Sequence, residues 1–427
     1  MEYRDALAYI ASLAPRGWRL GLDRMQEFAR RAGLDDALGT PGGPQFIHVA
    51  GTNGKGSVTA YLQSILHESG YRVGSFFSPY VYDPRERIQL GRELIPEKIF
   101  AGLTAMLQPV AEEFSETDFD GISEFEFKTA MAFLFYKRLK CEWVALEVGL
   151  GGRLDATNIV TPHVSIIVSI GLDHVDILGH SYAAIAREKA GIIKPGVPVM
   201  VGELPHEALA VVEEVADANG APIWRTGREI VIEDMGAVGF TVKTPVATHE
   251  GLIPGIKGVA QPLNMALAVA AIDAAGATRT LKGLTDGVER ASIPGRFEER
   301  RIGGKAVIFD GAHNAEAAEV LAQTLEHYYR GRRGRIVLGM VHGHSAENFL
   351  RPLAGWLGAA YVTAIDYART QMPEDLAAFT RAAGIPTLEF EHASAAFQAA
   401  LRDCGDDEFV LVTGSFYLVG EVGRTLQ

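Results

Sequence analysis

The feature that most restricts the fold of this chain is one glycine-rich segment, Val49-Ala50-Gly51-Thr52-Asn53-Gly54-Lys55-Gly56-Ser57. An apolar run at residues 46–49 precedes it, and a stretch with helical periodicity follows it. The order of strand, glycine loop and helix is that of a phosphate-binding loop. Glycines allow backbone N–H groups to approach a phosphate, while the helix N-terminus and Lys55 supply positive charge. The segment therefore predicts a site for a ligand that carries phosphate.

This segment departs from the common phosphate-loop pattern at two positions. The pattern requires glycine where Val49 stands, and it requires serine or threonine directly after the lysine, where Gly56 stands. The segment therefore belongs to a variant class of phosphate loop, and the variant narrows the range of functions.

The bulk composition excludes several classes of protein. The net charge of −13 argues against a nucleic-acid binder, which normally carries a basic surface. The two cysteines, Cys141 and Cys404, lie in unrelated contexts, which argues against a disulfide framework and fits a reducing cytosol. The N-terminus does not resemble a signal peptide, and no apolar run approaches the length of a membrane span. We expect a cytoplasmic protein without a membrane or nucleic-acid partner.

Apolar runs alternate with helical patterns along most of the 427 residues, which predicts parallel α/β architecture in two or three domains. We predict a phosphate-loop-type, mostly parallel sheet flanked by helices, with a small antiparallel excursion at residues 226–254. A C-terminal Rossmann-like α/β domain follows it. Because Pro294 and Gly295 interrupt the helical pattern, we place the domains at residues 1–294 and 295–427. The main predicted strands are 71–77, 143–148, 164–170, 306–309, 336–338, 361–365 and 409–412.

Three polar residues, Glu147, His174 and Asp310, lie at or just beyond the ends of predicted strands. Ligands of parallel sheets bind beyond the carboxyl ends of the strands, so these positions are site candidates. Glu147 offers the carboxylate oxygen that nucleotide magnesium needs. Each residue also has a purely structural interpretation, since Glu147 could cap a glycine turn, His174 could be a satisfied structural histidine, and Asp310 could cap a helix together with Asn314.

Two basic residues are ambiguous from the sequence alone. Lys189 lies in a helical segment rich in charge, and this charge pattern favours a solvated helix face. Arg296 follows the proposed domain boundary and could bind a phosphate bidentately, or it could be an ordinary hinge arginine.

The ordered set of motifs closely resembles the folylpolyglutamate synthase/dihydrofolate synthase family of the Mur-ligase superfamily. The resemblance covers nearly the whole length in family order, and it implies an ATP-dependent amide ligase that forms an acyl phosphate and then joins glutamate to it. The motifs are LGLDRM (20–25), VAGTNGKGS (49–57), FSPYVYDPRERI (77–88), EVGLGGRLDATN (147–158), SIGLDHVDILG (169–179), IAREKAGIIKPGVP (185–198), PGRFE (294–298), FDGAHN (309–314) and TGSFYLVGEV (413–422).

The resemblance also implies roles for individual residues. Lys55 would contact the transferring phosphoryl group, and His313 would face the nucleotide from the C-terminal domain, which would close over ATP and bind glutamate. The positions that match nucleotide contacts are Asn53, Gly54, Lys55, Gly56, Ser57, Asn264, Arg296 and Asp310.

For the metal, the resemblance implies that Ser78, Glu147 and His174 bind magnesium. Lys189 matches a lysine that the family carboxylates to a carbamate, which can bind a second magnesium. This role contradicts the solvated helix face that the charge pattern favours. Lys55, Lys189 and His313 are therefore the expected catalytic residues.

On the acceptor side, the matching positions imply a pteridine pocket, and the Leu154-Asp155 pair resembles the bifunctional bacterial pattern. We therefore expect glutamate to be added both to dihydropteroate and to tetrahydrofolate. The expected pocket residues are Leu20, Ser123, Phe125, Glu126, Leu154, Asp155 and Ala156.

The chain departs from many family members at two positions. Tyr80 replaces a histidine, which bears on pterin contacts, and Ala260 replaces the histidine of a His-Gln pair, which bears on the packing of the adenine side. Neither position belongs to the phosphate or magnesium set.

Three alternatives stay open beside a bifunctional, monomeric enzyme. The chain could be a folylpolyglutamate synthase only. It could be another Mur-type amino-acid ligase, although only about 45 residues precede the loop, too few for the additional N-terminal domain of peptidoglycan ligases. It could also be a nucleotide-binding switch without catalysis, which would need neither a carboxylated lysine nor the C-terminal arginine and histidine.

Overall fold

The structure is a computed structural model, and it describes residues 1–14 and 21–426. The strands in these ranges are β1 (Gln45–Ala50), β2 (Val73–Phe76), β3 (Ile88–Leu90), β4 (Glu93–Leu94), β5 (Trp143–Glu147), β6 (Val164–Ile167), β7 (Val199–Val201), β8 (Ile223–Arg225), β9 (Val231–Asp234), β10 (Phe240–Lys243), β11 (Thr248–Leu252), β12 (Glu298–Ile302), β13 (Lys305–Phe309), β14 (Arg333–Leu338), β15 (Leu357–Thr363), β16 (Thr387–Phe390) and β17 (Glu408–Thr413).

The helices alternate with these strands along most of the chain. They are α1 (Tyr3–Ser12), α2 (Asp23–Arg31), α3 (Lys55–Glu68), α4 (Glu97–Glu113), α5 (Glu124–Arg138), α6 (Val175–Leu178), α7 (Tyr182–Ala190), α8 (His206–Ala218), α9 (Gln261–Ala274), α10 (Leu281–Glu289), α11 (Ala315–Tyr329), α12 (Ala346–Leu350), α13 (Pro373–Ala382), α14 (Ala393–Asp403) and α15 (Phe416–Arg424).

The chain divides into two compact units. The first comprises Met1–Ser78, Arg85–Gly255 and Pro262–Ser292. The second comprises Ile293–Gln427 together with two short segments from earlier in the chain, Pro79–Pro84 and Ile256–Gln261. The simpler division into residues 1–294 and 295–427 stays a prediction.

The first unit is built on an eight-stranded sheet with the order β4-β3-β2-β5-β1-β6-β7-β8. The six strands from β2 to β8 in this order are parallel, whereas β3 and β4 pair antiparallel at one edge. The predicted strand at 164–170 ends early, at Ile167, because the residues after it turn towards the phosphate loop. The predicted mostly parallel sheet is confirmed.

A separate three-stranded antiparallel sheet, β11-β10-β9, follows β8 in the chain. It corresponds to the antiparallel excursion predicted at residues 226–254. The helix predicted immediately after it at residues 262–275 is α9, which carries Asn264.

The second unit is a six-stranded sheet with the order β12-β13-β17-β14-β15-β16, in which only β12 is antiparallel. Along β13, Val307 and Phe309 enter one apolar cluster while Ile308 enters another. This alternation means that apolar side chains cover both faces of the sheet, as in an α/β domain with helices on both sides. The sequence did not reveal β12, because its residues, EERRI, are mostly charged and lie at an edge.

Candidate active site

The phosphate loop joins β1 to α3 in the first unit, and α3 begins at Lys55. Gly54, directly before it, has a φ of 85° in the left-handed region. A Cβ atom at Gly54 would lie 2.7 Å from Asn264 Oδ1 and 2.8 Å from Val168 Cγ1. Both the backbone conformation and the lack of space therefore require glycine here, and Asn264 of α9 lies directly against the loop.

The first turn of α3 is packed closely into the first unit. The N–H of Val58 donates to Gly54 O at 3.0 Å and starts the helical hydrogen bonds. Gly56 and Ser57 follow Lys55 and are buried. The positive end of the helix dipole therefore lies at the loop, which favours an anion there.

A serine beyond β6 holds the phosphate loop in shape. Asn53 N–H donates to Ser169 Oγ at 2.9 Å, and Ser169 Oγ donates to Asn53 O at 2.8 Å. Thr52 N–H donates to Ser169 O at 2.9 Å, while Gly171 N–H donates to Thr52 Oγ1 at 2.9 Å. Sequence reasoning did not assign Ser169 a role, because its place at the end of an apolar run does not identify the loop as its partner.

Two lysine side chains converge on one backbone carbonyl of the loop. Lys55 Nζ donates to Gly51 O at 3.0 Å and to Thr52 O at 3.1 Å. Lys189 Nζ, from the end of α7, donates to the same Gly51 O at 2.8 Å. Two cations at one carbonyl make this end of the sheet attractive to anions, and the charge of Lys55 disfavours the protonated form of Lys189.

Lys189 is buried, with 4% of its surface exposed. The solvated helix face that its charge pattern favoured is therefore wrong, because α7 turns this side chain inward under the loop. The pKa of Lys189 is lowered from 10.5 to about 7, chiefly by burial and in addition by the charge of Lys55. The carboxylates of Asp173 and Asp155 oppose these effects. A substantial neutral fraction of the amine at neutral pH follows.

Glu147 is the last residue of β5 and is 2% exposed. Its Oε2 accepts a hydrogen bond from the backbone N–H of Ser78 at 2.9 Å. β5 neighbours both β1 and β2, so the end of β5 lies between the phosphate loop and the segment after β2. The structure therefore brings Ser78 and Glu147 together beside the loop.

His174 lies after β6 and has a left-handed backbone with φ of 51°, an unusual conformation for a residue other than glycine. Its side chain is about half exposed, and its Nε2 lies 4.0 Å from Asp173 Oδ1. Asp173 Oδ1 also accepts from the His174 N–H at 2.8 Å. Backbone strain of this kind is often kept at functional sites.

The turn after Glu147 is closed by Asp155. Asp155 Oδ2 accepts from the Leu150 N–H at 2.9 Å, and Oδ1 accepts from the Thr157 N–H at 3.0 Å. Burial raises the pKa of Asp155, while these hydrogen bonds oppose the rise. Asp155 therefore has a structural role, because its carboxylate holds the backbone of the turn in which it lies.

Ser123 and Glu126 form a capping box at the start of α5. Glu126 Oε2 accepts from the Ser123 N–H at 2.9 Å and from its hydroxyl at 2.7 Å. Arg24 of α2 binds the same carboxylate, with Nε at 2.8 Å from Oε1 and 2.9 Å from Oε2. Arg24 belongs to the LGLDRM motif, but its side chain received no role from the sequence.

Phe125 lies between these caps and the turn after Glu147. A Cβ at Gly149 would come within 2.4 Å of the Phe125 ring, so the glycine is required for this contact. Leu154 and Ala156 flank Asp155, and Leu154 lines a small cavity of about 140 Å³. Leu20, also expected in the acceptor pocket, lies outside the described residues.

The second unit gathers its site candidates beside β13. The Arg296 guanidinium lies 3.8 Å from the centre of the Phe416 ring. Asp310 Oδ2 accepts from the Phe297 N–H at 2.8 Å, and Oδ1 accepts from the Ala312 N–H at 2.9 Å. Phe297 has a left-handed backbone with φ of 44°, so Asp310 holds a strained residue directly after Arg296. The sequence did not reveal this role of Phe297.

His313 completes this cluster. Its Nδ1–H donates to Gly311 O at 2.8 Å, which fixes the proton on that nitrogen. Its ring centre lies 4.9 Å from that of His344 and 5.9 Å from that of Phe416. Sequence reasoning did not identify His344 or Phe416 as neighbours of the site, because they come from distant turns of the same sheet.

Residues 1–14 and 21–426 were searched for a metal-binding cluster and for a helix that could span a membrane. No three or more His, Cys, Asp or Glu side chains in those ranges gather into a group that could hold a metal ion by itself. A helix with the length and apolar composition of a membrane span is likewise absent from those ranges.

Comparisons with protein families match two parts of the chain. The Mur ligase middle domain matches residues 49–235, and the Mur ligase glutamate ligase domain matches residues 295–416. The first match contains the phosphate loop, Glu147, His174 and Lys189. The second contains Arg296, Asp310 and His313.

Individual relatives match over the full length. The dihydrofolate synthase/folylpolyglutamate synthase of Bacillus subtilis is 33% identical over 434 residues, which cover 100% of this chain and 99% of the relative. Escherichia coli FolC in complex with DHPP and ADP is 32% identical, with a TM-score of 0.89 and coverage of 100% and 98%. A bifunctional folylpolyglutamate synthase/dihydrofolate synthase with Mn, AMPPNP and L-glutamate bound is 30% identical, with a TM-score of 0.86 and the same coverage.

Proposed function

Because this chain belongs to the dihydrofolate synthase/folylpolyglutamate synthase family of Mur-type ligases, we infer that it is an ATP-dependent ligase. It adds L-glutamate to dihydropteroate and to reduced folates. The observation that carries this inference is the convergence of Lys55 and Lys189 on the Gly51 carbonyl of a complete phosphate loop.

The reaction needs charge neutralisation and positioning rather than a protein nucleophile. A carboxylate oxygen of the acceptor attacks the γ-phosphorus of ATP, and ADP leaves. The amine of glutamate then attacks the carbonyl carbon of the acyl phosphate, inorganic phosphate departs, and the amine loses a proton. The side chain of Lys55 folds back onto the phosphate loop, where its Nζ binds the carbonyls of Gly51 and Thr52. From this position the ammonium group can contact the transferred phosphoryl group.

Related structures bind ADP in one case and Mn with AMPPNP in another, which supports nucleotide and divalent-metal binding by this chain. Glu147 offers a buried carboxylate at the loop and Ser78 beside it a hydroxyl, which are the oxygen donors that a hard cation takes. His174 adds an exposed imidazole. We propose these three as the metal ligands. When bound, the cation would neutralise charge on the phosphate oxygens.

Lys189 is proposed to be carboxylated. Only a neutral amine can attack carbon dioxide, and the burial that lowers the pKa of Lys189 to about 7 supplies one at neutral pH. The nitrogen forms a bond to carbon and releases a proton, so a buried cation becomes an anion. That anion could hold a second divalent cation, and it would no longer repel Lys55.

The remaining site assignments are proposals on the same basis. Loop contacts would come from Asn53 to Ser57, and Asn264 would contact the nucleotide from α9. Arg296 and Asp310 would serve the nucleotide from the second unit, with His313 beside them. The proposed acceptor contacts are Leu20, Ser123, Phe125, Glu126, Leu154, Asp155 and Ala156.

The described geometry supports two parts of the acceptor proposal directly. Phe125 presents a ring against Gly149, next to the turn that Asp155 closes. The buried Ser123–Glu126–Arg24 network holds the start of the helix that carries this ring.

We also propose a monomer that acts in the cytoplasm, with domains at 1–294 and 295–427. The buried thiols of Cys141 and Cys404 are unpaired, which fits a reducing compartment.

The test is an assay of ADP release with parallel acceptors. Dihydropteroate and tetrahydrofolate are each offered with and without L-glutamate. Release that requires glutamate with both acceptors supports the bifunctional enzyme, and release with tetrahydrofolate alone supports a folylpolyglutamate synthase. Release that is indifferent to glutamate and to either acceptor would refute the ligase.

A further inference from the structure

A chain of buried polar groups runs beneath the proposed site in the first unit. His48 of β1 is fully buried, Thr157 is fully buried, and Asp155 is 5% exposed. His48 Nε2 lies 2.9 Å from Thr157 Oγ1, and Thr157 Oγ1 lies 2.5 Å from Asp155 Oδ1. One partner of Thr157 is local and the other is distant, since Asp155 is 2 residues away in the sequence and His48 is 109 residues away.

The direction of these hydrogen bonds follows from the chemistry of the groups. Both oxygens of Asp155 accept from backbone N–H groups, those of Leu150 and Thr157, so the carboxylate is the acceptor of the chain. Thr157 has one hydroxyl hydrogen, and it is donated to Asp155. The Thr157 oxygen must therefore accept from Nε2–H of His48. Burial, with the charge of Lys194, lowers the pKa of His48 to about 3, so the ring is neutral.

This chain of hydrogen bonds begins on the strand that leads into the phosphate loop. His48 lies in β1, three residues before Gly51, whose carbonyl accepts from Lys55 and Lys189. The backbone of His48 is paired on both sides, with Leu146 of β5 and with Ser165 of β6, and its side chain is fully buried. The donor end of the chain is therefore anchored in the middle of the sheet.

The acceptor end of the chain fixes the turn that follows Glu147. Asp155 holds the Leu150 N–H, and the turn then packs on the end of α7. Arg153 N–H donates to Glu188 O at 2.7 Å. A Cβ at Gly152 would lie 2.9 Å from both the Glu188 and the Lys189 carbonyl oxygens, so this turn touches α7 without a gap. The turn thus runs from Glu147 to the backbone of Lys189.

We propose that His48 and Thr157 are positioning residues for the ligase reaction. Through Asp155 they hold the turn that joins Glu147 to the end of α7, and they tie its position to the phosphate-loop strand. The inference rests on the proposed function, because the proposed function makes Glu147 and the carboxylated Lys189 metal ligands. Its physical basis is that partners behind metal ligands set the orientation of those ligands.

A single substitution removes the link while preserving its shape. Thr157→Val replaces the hydroxyl by a methyl group and takes away both side-chain hydrogen bonds, whereas Thr157→Ser keeps them. The matched control is Thr104→Val, because Thr104 is also fully buried and its hydroxyl donates within α4, to Phe100 O at 3.0 Å.

The measurements are kcat, the KM values for ATP and acceptor, and Mn²⁺ binding to the enzyme with AMPPNP, followed by electron paramagnetic resonance. For Thr157→Val we expect losses of about 10-fold or more in kcat and in Mn²⁺ affinity, the range typical of groups behind metal ligands, with little change in the KM for ATP. Thr157→Ser should recover most of both, and Thr104→Val should leave both near wild type.

Three results would overturn the proposal. Thr157→Val could bind Mn²⁺ and turn over like wild type. Thr157→Ser could be as impaired as Thr157→Val, which would assign the effect to packing. Thr104→Val could show the same losses, which would assign them to general destabilisation. If wild type itself lacks glutamate-dependent ADP release, the proposed function fails, while the Mn²⁺ measurement still tests the positioning link.

His48 provides an independent second variant. His48→Gln retains an N–H donor at similar reach, whereas His48→Leu has none. We expect His48→Leu to weaken Mn²⁺ binding in the same way as Thr157→Val and His48→Gln to weaken it less. Equal losses in the two variants would contradict the direction of the hydrogen bonds given above.

Discussion

Replacing Lys189 by methionine should abolish turnover and, at the same time, stabilise the folded enzyme at neutral and acidic pH. The side chain is almost fully buried beside a second cation. Methionine has a similar length and fills irregular apolar space well. The variant therefore removes the charge and the hydrogen bond to Gly51 O while leaving most of the packing in place.

The size of the effect follows from the pKa of Lys189. The folded value of about 7 lies well below the ordinary 10.5, a difference of about 3.5 pH units, and each pH unit corresponds to ~1.4 kcal/mol. The buried lysine therefore costs the folded state about 5 kcal/mol once the pH is below both values. Loss of the hydrogen bond to Gly51 O removes about 1 kcal/mol from the gain, so a net stabilisation of about 4 kcal/mol is expected.

The pH dependence has a definite sign. Between the folded value of about 7 and the unfolded value of 10.5, the unfolded chain binds more protons than the folded chain. Wild-type stability therefore rises with pH in this window. The advantage of Lys189→Met is complete below about pH 7 and shrinks as the pH approaches 10.5. It should fall to about 1 kcal/mol near pH ~9.

The assay is urea unfolding of wild type and Lys189→Met in buffer purged of carbon dioxide, at about pH 6 and about pH 9, comparing the transition of the first unit. Lys98→Met is the control, since Lys98 is an exposed lysine of α4 and its replacement removes a lysine charge without removing a buried one. A Lys189→Met variant that is less stable than wild type at acidic pH would refute the buried-cation reasoning.

Bicarbonate supplies the second arm of this experiment. If Lys189 is carboxylated, bicarbonate should change the stability of wild type and leave Lys189→Met unaffected. Lys189→Ala should in turn recover part of its turnover when short carboxylic acids are added. A fully active wild-type enzyme whose intact mass lacks the added carboxyl group would contradict the carbamate.

Three further predictions concern single contacts. Lys55→Ala should remove most ADP release with an unchanged circular dichroism spectrum, because it deletes the loop cation; near-normal turnover would sink the phosphate assignment. Gly54→Ala should weaken nucleotide binding by roughly 10-fold or more, measured by calorimetry, because a Cβ would lie 2.7 Å from Asn264 Oδ1 on a left-handed backbone; wild-type affinity would argue against a rigid loop. Asn314→Ala should cost about 1 kcal/mol in urea unfolding, since Asn314 caps α11 by accepting from the Ala317 N–H at 2.9 Å, while Asn314→Asp should lose little; equal losses in both would argue against the cap.

Much of the architecture was predictable because it is encoded locally. The apolar run before Gly51 and the helical period after Lys55 predicted β1, the loop and α3. The weaker strands were not predictable for the opposite reason. β12 is charged throughout most of its length, and it is a strand because it pairs with β13 rather than because of its own residues.

The site shows the same division. The positions of Glu147 and His174 at strand ends were readable, because a polar residue at the end of a buried strand is visible in the sequence. The long-range contacts that support other parts of the site were not readable. Ser169 reaches the phosphate loop across 116 residues and Arg24 reaches Glu126 across 102, and no local pattern announces such a pair.

Lys189 marks the boundary between the two kinds of information most clearly. By itself the sequence determined the loop chemistry, the order of the motifs and the family to which they belong, because these depend on residue types at short, fixed spacings. Only the tertiary structure decided that Lys189 is buried against Gly51, 138 residues away, and that its pKa falls to about 7. Burial and long-range pairing are properties of packing, and the same charged helix could equally have faced water.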